Sequence, residues 1–560
     1  MKKIHVHLIF TVVTLLFLMS GLNMIQLFDW DEVNFAEAAR EMSISKNYLF
    51  VQIGFEPFWE KPPLFIWLQA FFQNLFNTHS SWVYKMPNVI AGVISVNLVY
   101  HIGDRLGKRM LGAFWALATL FTFAPFIYWR SGIIDPVFNL FIFLAIYKWY
   151  QITQSYIREE RAHLYYLMVG VFLGLAFLTK GPVAVLIFGL VVFFVTAIRS
   201  KWHELLSPLL LLSFLGFLLS IGLWVLPLLN SNGQEFLTHF FWYQVELFKG
   251  QIPYHNQPWF YHIIVLLVLA FPASTLALPH LFGNRVMDRD VDTWNLTMRT
   301  LFWVVLVVFS ITTTKIIHYS SLCWWPLTYF GAYQVYLLHT NRWHFPYWLN
   351  LPLFISGLTL MVALWVLPLV IIIEPTPQFL LQKLDVFSLG ILEAAPRWDW
   401  TTLLPASLFT FWFLGWLILS LFKKNPSPGY LYIISGSVAL ISAVTLIPKT
   451  ADVLQKPLVS KIKSLRAQGK FVEVHGFKTY ALYFFGEFQP KDFQNLNPQN
   501  PAESSEAYPQ QQNRRSHAHN PQNSQKVYII TKKDHKPDDW FLNRYRVSEN
   551  FSGYVLWVSK

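Results

Sequence analysis

The stretch from Phe28 to Trp67, FDWDEVNFAEAAREMSISKNYLFVQIGFEPFWEKPPLFIW, decides how the rest of the chain is read. It follows an apolar run from about Leu8 to Leu27, and it carries Asp29, Asp31, Glu32, Glu37, Arg40, Glu41, Glu56, Glu60 and Lys61. Only 13% of the 560 residues are charged, whereas 54% are hydrophobic and 18% aromatic, a balance far from that of an ordinary globular domain. Apolar runs long enough to cross a hydrocarbon core of roughly 30 Å as helices recur along most of the sequence. The chain therefore reads as a polytopic α-helical membrane protein, and the acidic stretch as its first loop.

Lys2 and Lys3 precede the first run, and no small-residue cleavage pattern follows it, so it reads as an uncleaved first helix. Further spans are expected at about 82–103, 111–129, 133–150, 163–179, 182–198, 205–229, 259–281, 299–315, 318–338, 349–373, 401–422 and 429–447, about thirteen crossings in all. Basic residues mark alternate loops: Arg105, Lys108 and Arg109; Arg158 and Arg161; Arg199 and Lys201; Arg285 and Arg289; Arg342; Lys423 and Lys424. The loops between carry about one each, such as Arg130, Lys180, Lys249 and Lys315. The bias places the N-terminus in the cytoplasm and the loops 29–80, 230–258 and 374–400, with the C-terminal tail, outside. The net charge of +12 is thereby assigned to topology rather than to nucleic-acid binding. The single cysteine, Cys323, can form no intrachain disulfide.

Residues 1–448 form the membrane domain and 449–560 a small extracytoplasmic α/β domain in this reading. Helical spacing covers Val453–Ala467, and Phe471–His475, Thr479–Phe485, Lys526–Thr531 and Gly553–Val558 read as strands. Residues 489–525, rich in Gln, Asn, Pro and Ser, are too polar to order themselves. His517 and His519 within them read as solvated side chains rather than metal ligands.

Three groups of residues carry the chemistry. Asp31, Asn34, Ala38 and Glu41 share one face if 31–42 is helical. Such a helix can rest at the interface with its carboxylates in water, or turn them to a cavity where the Asp31–Glu32 pair suits general-base work or metal binding. Glu60-Lys61-Pro62-Pro63 stands at the start of an apolar helix, which makes Lys61 either a phosphate ligand or a lysine snorkelling to headgroups. Arg130-Ser131-Gly132-Ile133-Ile134-Asp135 delivers another acid to the mouth of a span, where Arg130 and Asp135 can simply pair.

Asp31-Glu32, Phe35-Ala36-Glu37, Arg40-Glu41-Met42, then Glu60-Lys61-Pro62-Pro63-Leu64 and Trp67 resemble the first external loop of GT-C glycosyltransferases. The similarity is to the bacterial aminoarabinose lipid A transferase and protein O-mannosyltransferase superfamily. It continues through Arg130–Asp135, through 255–261 (HNQPWFY) and through Lys315-Ile316-Ile317-His318-Tyr319 with Pro326. The resemblance implies an inverting enzyme of the bacterial inner membrane, with its active site and C-terminal domain on the periplasmic side. It would take a sugar from a polyprenyl-phosphate donor and give it to an extracytoplasmic lipid, glycan or protein acceptor. By the same resemblance Asp31 is the catalytic carboxylate, flanked by Glu32, with Asp135 as its partner. Lys61 and Tyr319 lie near the donor phosphate, with Lys315 and Lys249 as further cations of the matching segments. Glu60 and His255 match positions associated with a divalent metal, Zn or Mg/Mn.

Two departures bear on the substrate. Asn34 stands where the aminoarabinose enzymes carry an arginine, and Phe248-Lys249 replaces an Arg-Phe ahead of the histidine. The class of enzyme stands without a particular sugar or lipid A as acceptor. The rival class is a transporter or flippase, for which Asp31, Glu60 and Asp135 would be coupling or substrate sites in broken helices. The ionisable residues instead cluster outside the spans, and no internal repeat is visible. An idle membrane scaffold would leave the ordered acid, lysine and tyrosine set to coincidence.

Overall fold

The computed structural model describes residues 3–154, 159–249, 257–282, 292–312, 315–373, 382–396, 398–422, 427–492 and 526–560. The apolar runs form α1 (Lys3–Met19), α4 (Ser81–Arg105), α5 (Arg109–Phe121), α6 (Phe123–Trp129), α7 (Asp135–Ile152), α8 (Glu159–Lys180), α9 (Val183–Ile198) and α10 (Leu210–Asn230). After α11 (Gln234–Lys249) they continue as α12 (Tyr261–Leu269), α13 (Ala273–Phe282), α14 (Asp292–Ile311), α15 (Trp324–His339), α16 (Asn350–Ile372), α18 (Leu404–Leu421) and α19 (Gly429–Ala467), with the short α17 (Val386–Glu393) between. Among the described residues eight helices are long and apolar enough to cross a membrane, or nine if α5 and α6, bent by 67°, count as one span. The chain is a multi-pass membrane protein. Several expected crossings are broken rather than continuous: α12 and α13 divide one apolar run, and a 3-10 turn over Ile317–Cys323 opens another ahead of α15.

Close backbone approach fixes the packing where side chains are small. Gly170 on α8 faces α10 so tightly that a Cβ there would lie 1.8 Å from the Ser213 carbonyl oxygen. In lipid, where apolar side chains gain little from leaving their surroundings, such contacts are a main source of helix association.

The first loop contains α2 (Asp31–Ser45), the hairpin β1 (Gln52–Ile53) and β2 (Glu56–Pro57), and α3 (Leu64–Phe76). Asp31 and Glu32 lie in the first turn of α2, where carboxylates favour the helix N-terminus, and Lys46 ends it with φ at 58°. Gly54 and Phe55 both have positive φ, the conformation a two-residue hairpin turn needs. An interfacial α2 is corrected by its burial: Glu32 through Ser43 are all buried, under α3, the hairpin and the C-terminal domain. Its charges are therefore satisfied internally. Arg40 donates to Glu37 at 2.7 and 2.6 Å and to the Phe488 carbonyl at 2.8 Å. Glu41 accepts the N–H groups of Gly54 and Phe55 in the hairpin.

The last apolar run does not stop at the expected boundary of 448. The 39-residue α19 passes through it and ends inside the C-terminal domain, taking in the helix expected over Val453–Ala467. The sheet there has the order β3 (Phe471–Val474), β4 (Val527–Lys532), β6 (Tyr554–Ser559), β5 (Tyr545–Phe551), with β3 and β4 parallel and the other pairs antiparallel. The strand expected over Thr479–Phe485 is instead α20 (Ala481–Phe485), whose apolar residues pack on α2 and α19. The edge strand β5 was not expected. Between β4 and β5 lies α21 (Asp539–Arg544), capped by the Asp538 side chain on the Phe541 N–H. The polar tract expected over 489–525 lies outside the described residues from 493 onward, with His517 and His519. Its first residues form a turn in which Asp492 pairs with Arg466 at 2.7 Å.

Candidate active site

The loop 130–134 ahead of α7 is clamped by polar side chains of α2, α3 and α4. Glu32 accepts the Gly132 N–H at 2.8 Å with one carboxylate oxygen and the Phe28 N–H at 2.8 Å with the other. Asn88 donates to the carbonyls of Ser131 and Ile133, both at 2.7 Å, and Gln69 to those of Tyr84 and Gly132 at 2.8 and 3.3 Å. Each backbone group of a buried loop needs such a partner. The outcome is a fixed position for Asp135, the first residue of α7.

Asp31, from the start of α2, and Asp135 meet across His318. His318 Nε2 lies 3.6 Å from Asp31 Oδ2 and 3.7 Å from Asp135 Oδ2. Lys180, the last residue of α8, reaches Asp135 Oδ1 at 2.5 Å, and its ammonium stands over the Tyr319 ring at 4.8 Å. Asp135 is 4% exposed and Asp31 33%, so only one of the two carboxylates opens to an incoming molecule. An exposed carboxylate can take a proton from an acceptor, while a buried one paired to lysine serves better as a fixed charge.

Lys61, just ahead of α3, has its ammonium 5.9 Å from the centre of the Tyr243 ring on α11. Beside it Glu60 lies 3.8 Å from Lys478 of the C-terminal domain. Lys478 also covers the rings of Trp30 and Tyr480, at 4.7 and 5.0 Å. Burial lowers the Lys478 pKa, and Glu60 opposes that shift more than any other charge. Next to these, Asp29 accepts from the Thr479 hydroxyl and from the Tyr480 N–H at 3.2 Å. Burial raises the Asp29 pKa against these bonds. The C-terminal domain thus forms part of the wall of the cluster.

The structure brings together Asp31, Asp135 and Tyr319, and places Lys61 and Glu60 in one wall with Lys478. Glu32, expected beside the catalytic carboxylate, has both its oxygens engaged with backbone N–H groups, and burial raises its pKa. The possible Arg130–Asp135 pair is corrected, because Arg130 turns to the carbonyls of Phe17 and Leu18 at 3.4 and 2.8 Å. Lys315 is buried and donates to the Thr312 carbonyl at 2.6 Å. Lys249 ends α11, its side chain outside the described residues, and His255 lies outside them altogether. Among the described residues no three His, Cys, Asp or Glu side chains gather as a metal site. Glu60 faces a lysine, so the described residues around it do not assemble a divalent-ion donor set. Asn34 is buried one turn beyond Asp31, its side-chain carbonyl oxygen without a hydrogen-bond partner.

Sequence reasoning passed over Lys180, His318 and Lys478 as site residues. Lys180 carried a signal, since Lys180-Gly181-Pro182 interrupts two apolar runs on the side assigned to the acids. Lys478 carried none, because its place depends on how the C-terminal domain folds back.

Residues 60–224 match the model of the dolichyl-phosphate-mannose-protein mannosyltransferase family. An undecaprenyl phosphate-alpha-4-amino-4-deoxy-L-arabinose arabinosyl transferase from Proteus mirabilis is 27% identical over 54% of this chain and 55% of its own length. The corresponding transferase from Erwinia tasmaniensis is 26% identical over 60% of each. The chain thus matches little more than half the length of these curated relatives. In three dimensions the likeness extends further. The crystal structure of ArnT from Cupriavidus metallidurans bound to undecaprenyl phosphate superposes with a TM-score of 0.70, covering 98% of this chain and 97% of that one at 16% identity. Its apo form gives 0.72. The polytopic helical fold with a C-terminal sheet domain, expected from the sequence, is the fold of that protein.

Proposed function

We propose that this member of the GT-C superfamily of aminoarabinose transferases and protein O-mannosyltransferases moves a sugar from a polyprenyl phosphate to a hydroxyl of an extracytoplasmic lipid, glycan or protein. The observation that carries this reading is the convergence of Asp31 and Asp135 on His318 within 3.7 Å, with Lys180 on the buried acid. The acceptor hydroxyl gives its proton to Asp31 and its oxygen bonds to the anomeric carbon. The bond from that carbon to the donor phosphate oxygen breaks, and its electron pair leaves with the lipid phosphate. Attack opposite the leaving group inverts the anomeric centre. Lys61 and the Tyr319 hydroxyl support the departing phosphate, and Lys180 with Asp135 and His318 keeps the electrostatics around Asp31 fixed. No step in this scheme is routed through a metal.

The related transferases are named for undecaprenyl phosphate-linked aminoarabinose. Asn34 in place of a cation favours a different sugar or acceptor here. Basic residues at the opposite loops support a cytoplasmic N-terminus and a periplasmic site and C-terminal domain. Incubating purified protein with radiolabelled polyprenyl-phosphate sugars and membrane extract tests the reading, with Asp31→Asn alongside. Transfer by the wild type and its loss in Asp31→Asn is the expected result. Uptake of a solute into sealed vesicles with no glycosyl transfer would establish the transporter instead.

A further inference from the structure

At the ends of α7 and α8 far from Asp135 and Lys180, a cavity of about 430 Å³ opens between these helices and the last turns of α4. Among the described residues its lining includes Arg105, Lys148, Arg161, His101, Tyr147 and Tyr165, and no aspartate or glutamate. Asp104, next to Arg105 in sequence, is taken by Lys3 at 2.7 Å. Lys148 is held against the rings of Tyr147 and Tyr165, 5.7 and 4.9 Å from their centres. Among the described residues no carboxylate pairs with Arg105, Lys148 or Arg161. Three cations around one concavity repel one another, an arrangement that an anion relieves.

We infer that this cavity binds a phosphate group, carried either by the headgroup of an acidic phospholipid or by a soluble phosphate. Its position supports this chemistry. Lys148 follows Asp135 by thirteen residues of one helix, which separates the cavity from the acid cluster by about 20 Å at the rise of an α-helix. That puts it at the opposite membrane surface, on the side marked by the basic loops. Basic pockets between spans at that surface are suited to anionic headgroups, and tyrosines suit the same depth. Guanidinium groups add paired donors that match phosphate oxygens. The site is separate from the proposed donor phosphate site and does not depend on the glycosyl-transfer reading.

The test uses the full chain, stripped of lipid and returned to detergent with phosphatidylglycerol, with phosphatidylcholine, or with phosphatidylcholine and inorganic phosphate. Retained lipid is measured by mass spectrometry and stability by thermal unfolding. Arg105→Gln/Arg161→Gln alters two exposed side chains, and Lys46→Gln, at an exposed lysine of the first loop, serves as a control at the other surface. Preferential retention of phosphatidylglycerol, weakened roughly thirty-fold in the double variant and unchanged in Lys46→Gln, is the expected result for a lipid headgroup. Stabilisation by inorganic phosphate alone, lost in the same double variant, supports the site with a soluble ligand. Equal behaviour of wild type and double variant towards both anions overturns the proposal, as does loss of the preference in Lys46→Gln.

Discussion

Lys180 Nζ lies 2.5 Å from Asp135 Oδ1, so the last residue of one membrane helix is tied to the first residue of another at the same surface. Removing the lysine leaves a carboxylate buried without its counter-charge, at a cost of about 3–5 kcal/mol for such a pair. Lys180→Met is expected to lower both thermal stability and transfer. Lys180→Met/Asp135→Asn is expected to regain most of the stability but little of the activity. Unfolding midpoints and transfer rates of the three proteins check this, and recovery of both quantities would reduce the pair to a structural role.

Asp31→Asn keeps the shape of the side chain and removes the proton acceptor. Transfer is expected to fall roughly 10²–10⁴-fold, the range for loss of a positioned general base. Donor affinity is expected to change little, which equilibrium binding of the lipid-linked sugar measures.

Lys61→Met is expected to act chiefly on the donor. A hydrogen bond to a charged group contributes about 1.5–3 kcal/mol, so donor affinity should weaken by roughly one to two powers of ten. Polyprenyl-phosphate binding by the variant decides between this and a lysine that merely reaches headgroups, whose loss would leave binding intact.

Glu32 sits beside Asp31 but holds the Gly132 N–H a hundred residues away. Glu32→Ala is expected to release the loop that positions Asp135, lowering kcat with little effect on donor KM, whereas Glu32→Gln should retain one acceptor oxygen and recover much of the rate. Kinetics of the two variants separate this from proton transfer, for which glutamine would serve no better than alanine.

Glu41 is buried beside Glu37, and desolvation and the Glu37 charge push its pKa well above the usual range. The folded state therefore binds a proton that the unfolded chain releases near pH 4.5. That contribution to stability is complete below pH 4.5 and fades as pH rises through the raised pKa. Glu41→Gln, neutral at every pH, is expected to flatten this part of the profile of thermal unfolding against pH, relative to the wild type.

The sequence made the membrane spans legible because bilayer thickness imposes a run of apolar residues on each. Family resemblance, carried by motifs at separate loops, pointed to Asp31, Asp135, Lys61 and Tyr319, of which Asp31, Asp135 and Tyr319 lie around His318 and Lys180. What the sequence concealed depends on tertiary closure. The carboxylates of α2 look like a solvated face until the C-terminal domain covers them, and Arg130 looks like a partner for Asp135 until α1 offers it two carbonyls. Strand β5 has no alternating pattern because Arg546 to Asn550, at the sheet edge, are all exposed. Thr479–Phe485 carries the aromatic residues of a strand, but its burial against two helices selects a helical turn.

The helix α19 runs without interruption from the bilayer to the wall of the acid cluster. It runs as one helix from Gly429 to Ala467, through Pro448 and Pro457, and Gln455 in its second half accepts the Asp29 N–H at 2.7 Å. One residue inserted into such a rod above the membrane would swing everything beyond it by about 100° around the axis, since a turn takes 3.6 residues. Lys478 and Thr479 would then face away from Glu60 and Asp29. The membrane anchor and the domain it bears thus behave as a single indexed shaft, in which angular phase, as much as reach, sets where the lysine arrives.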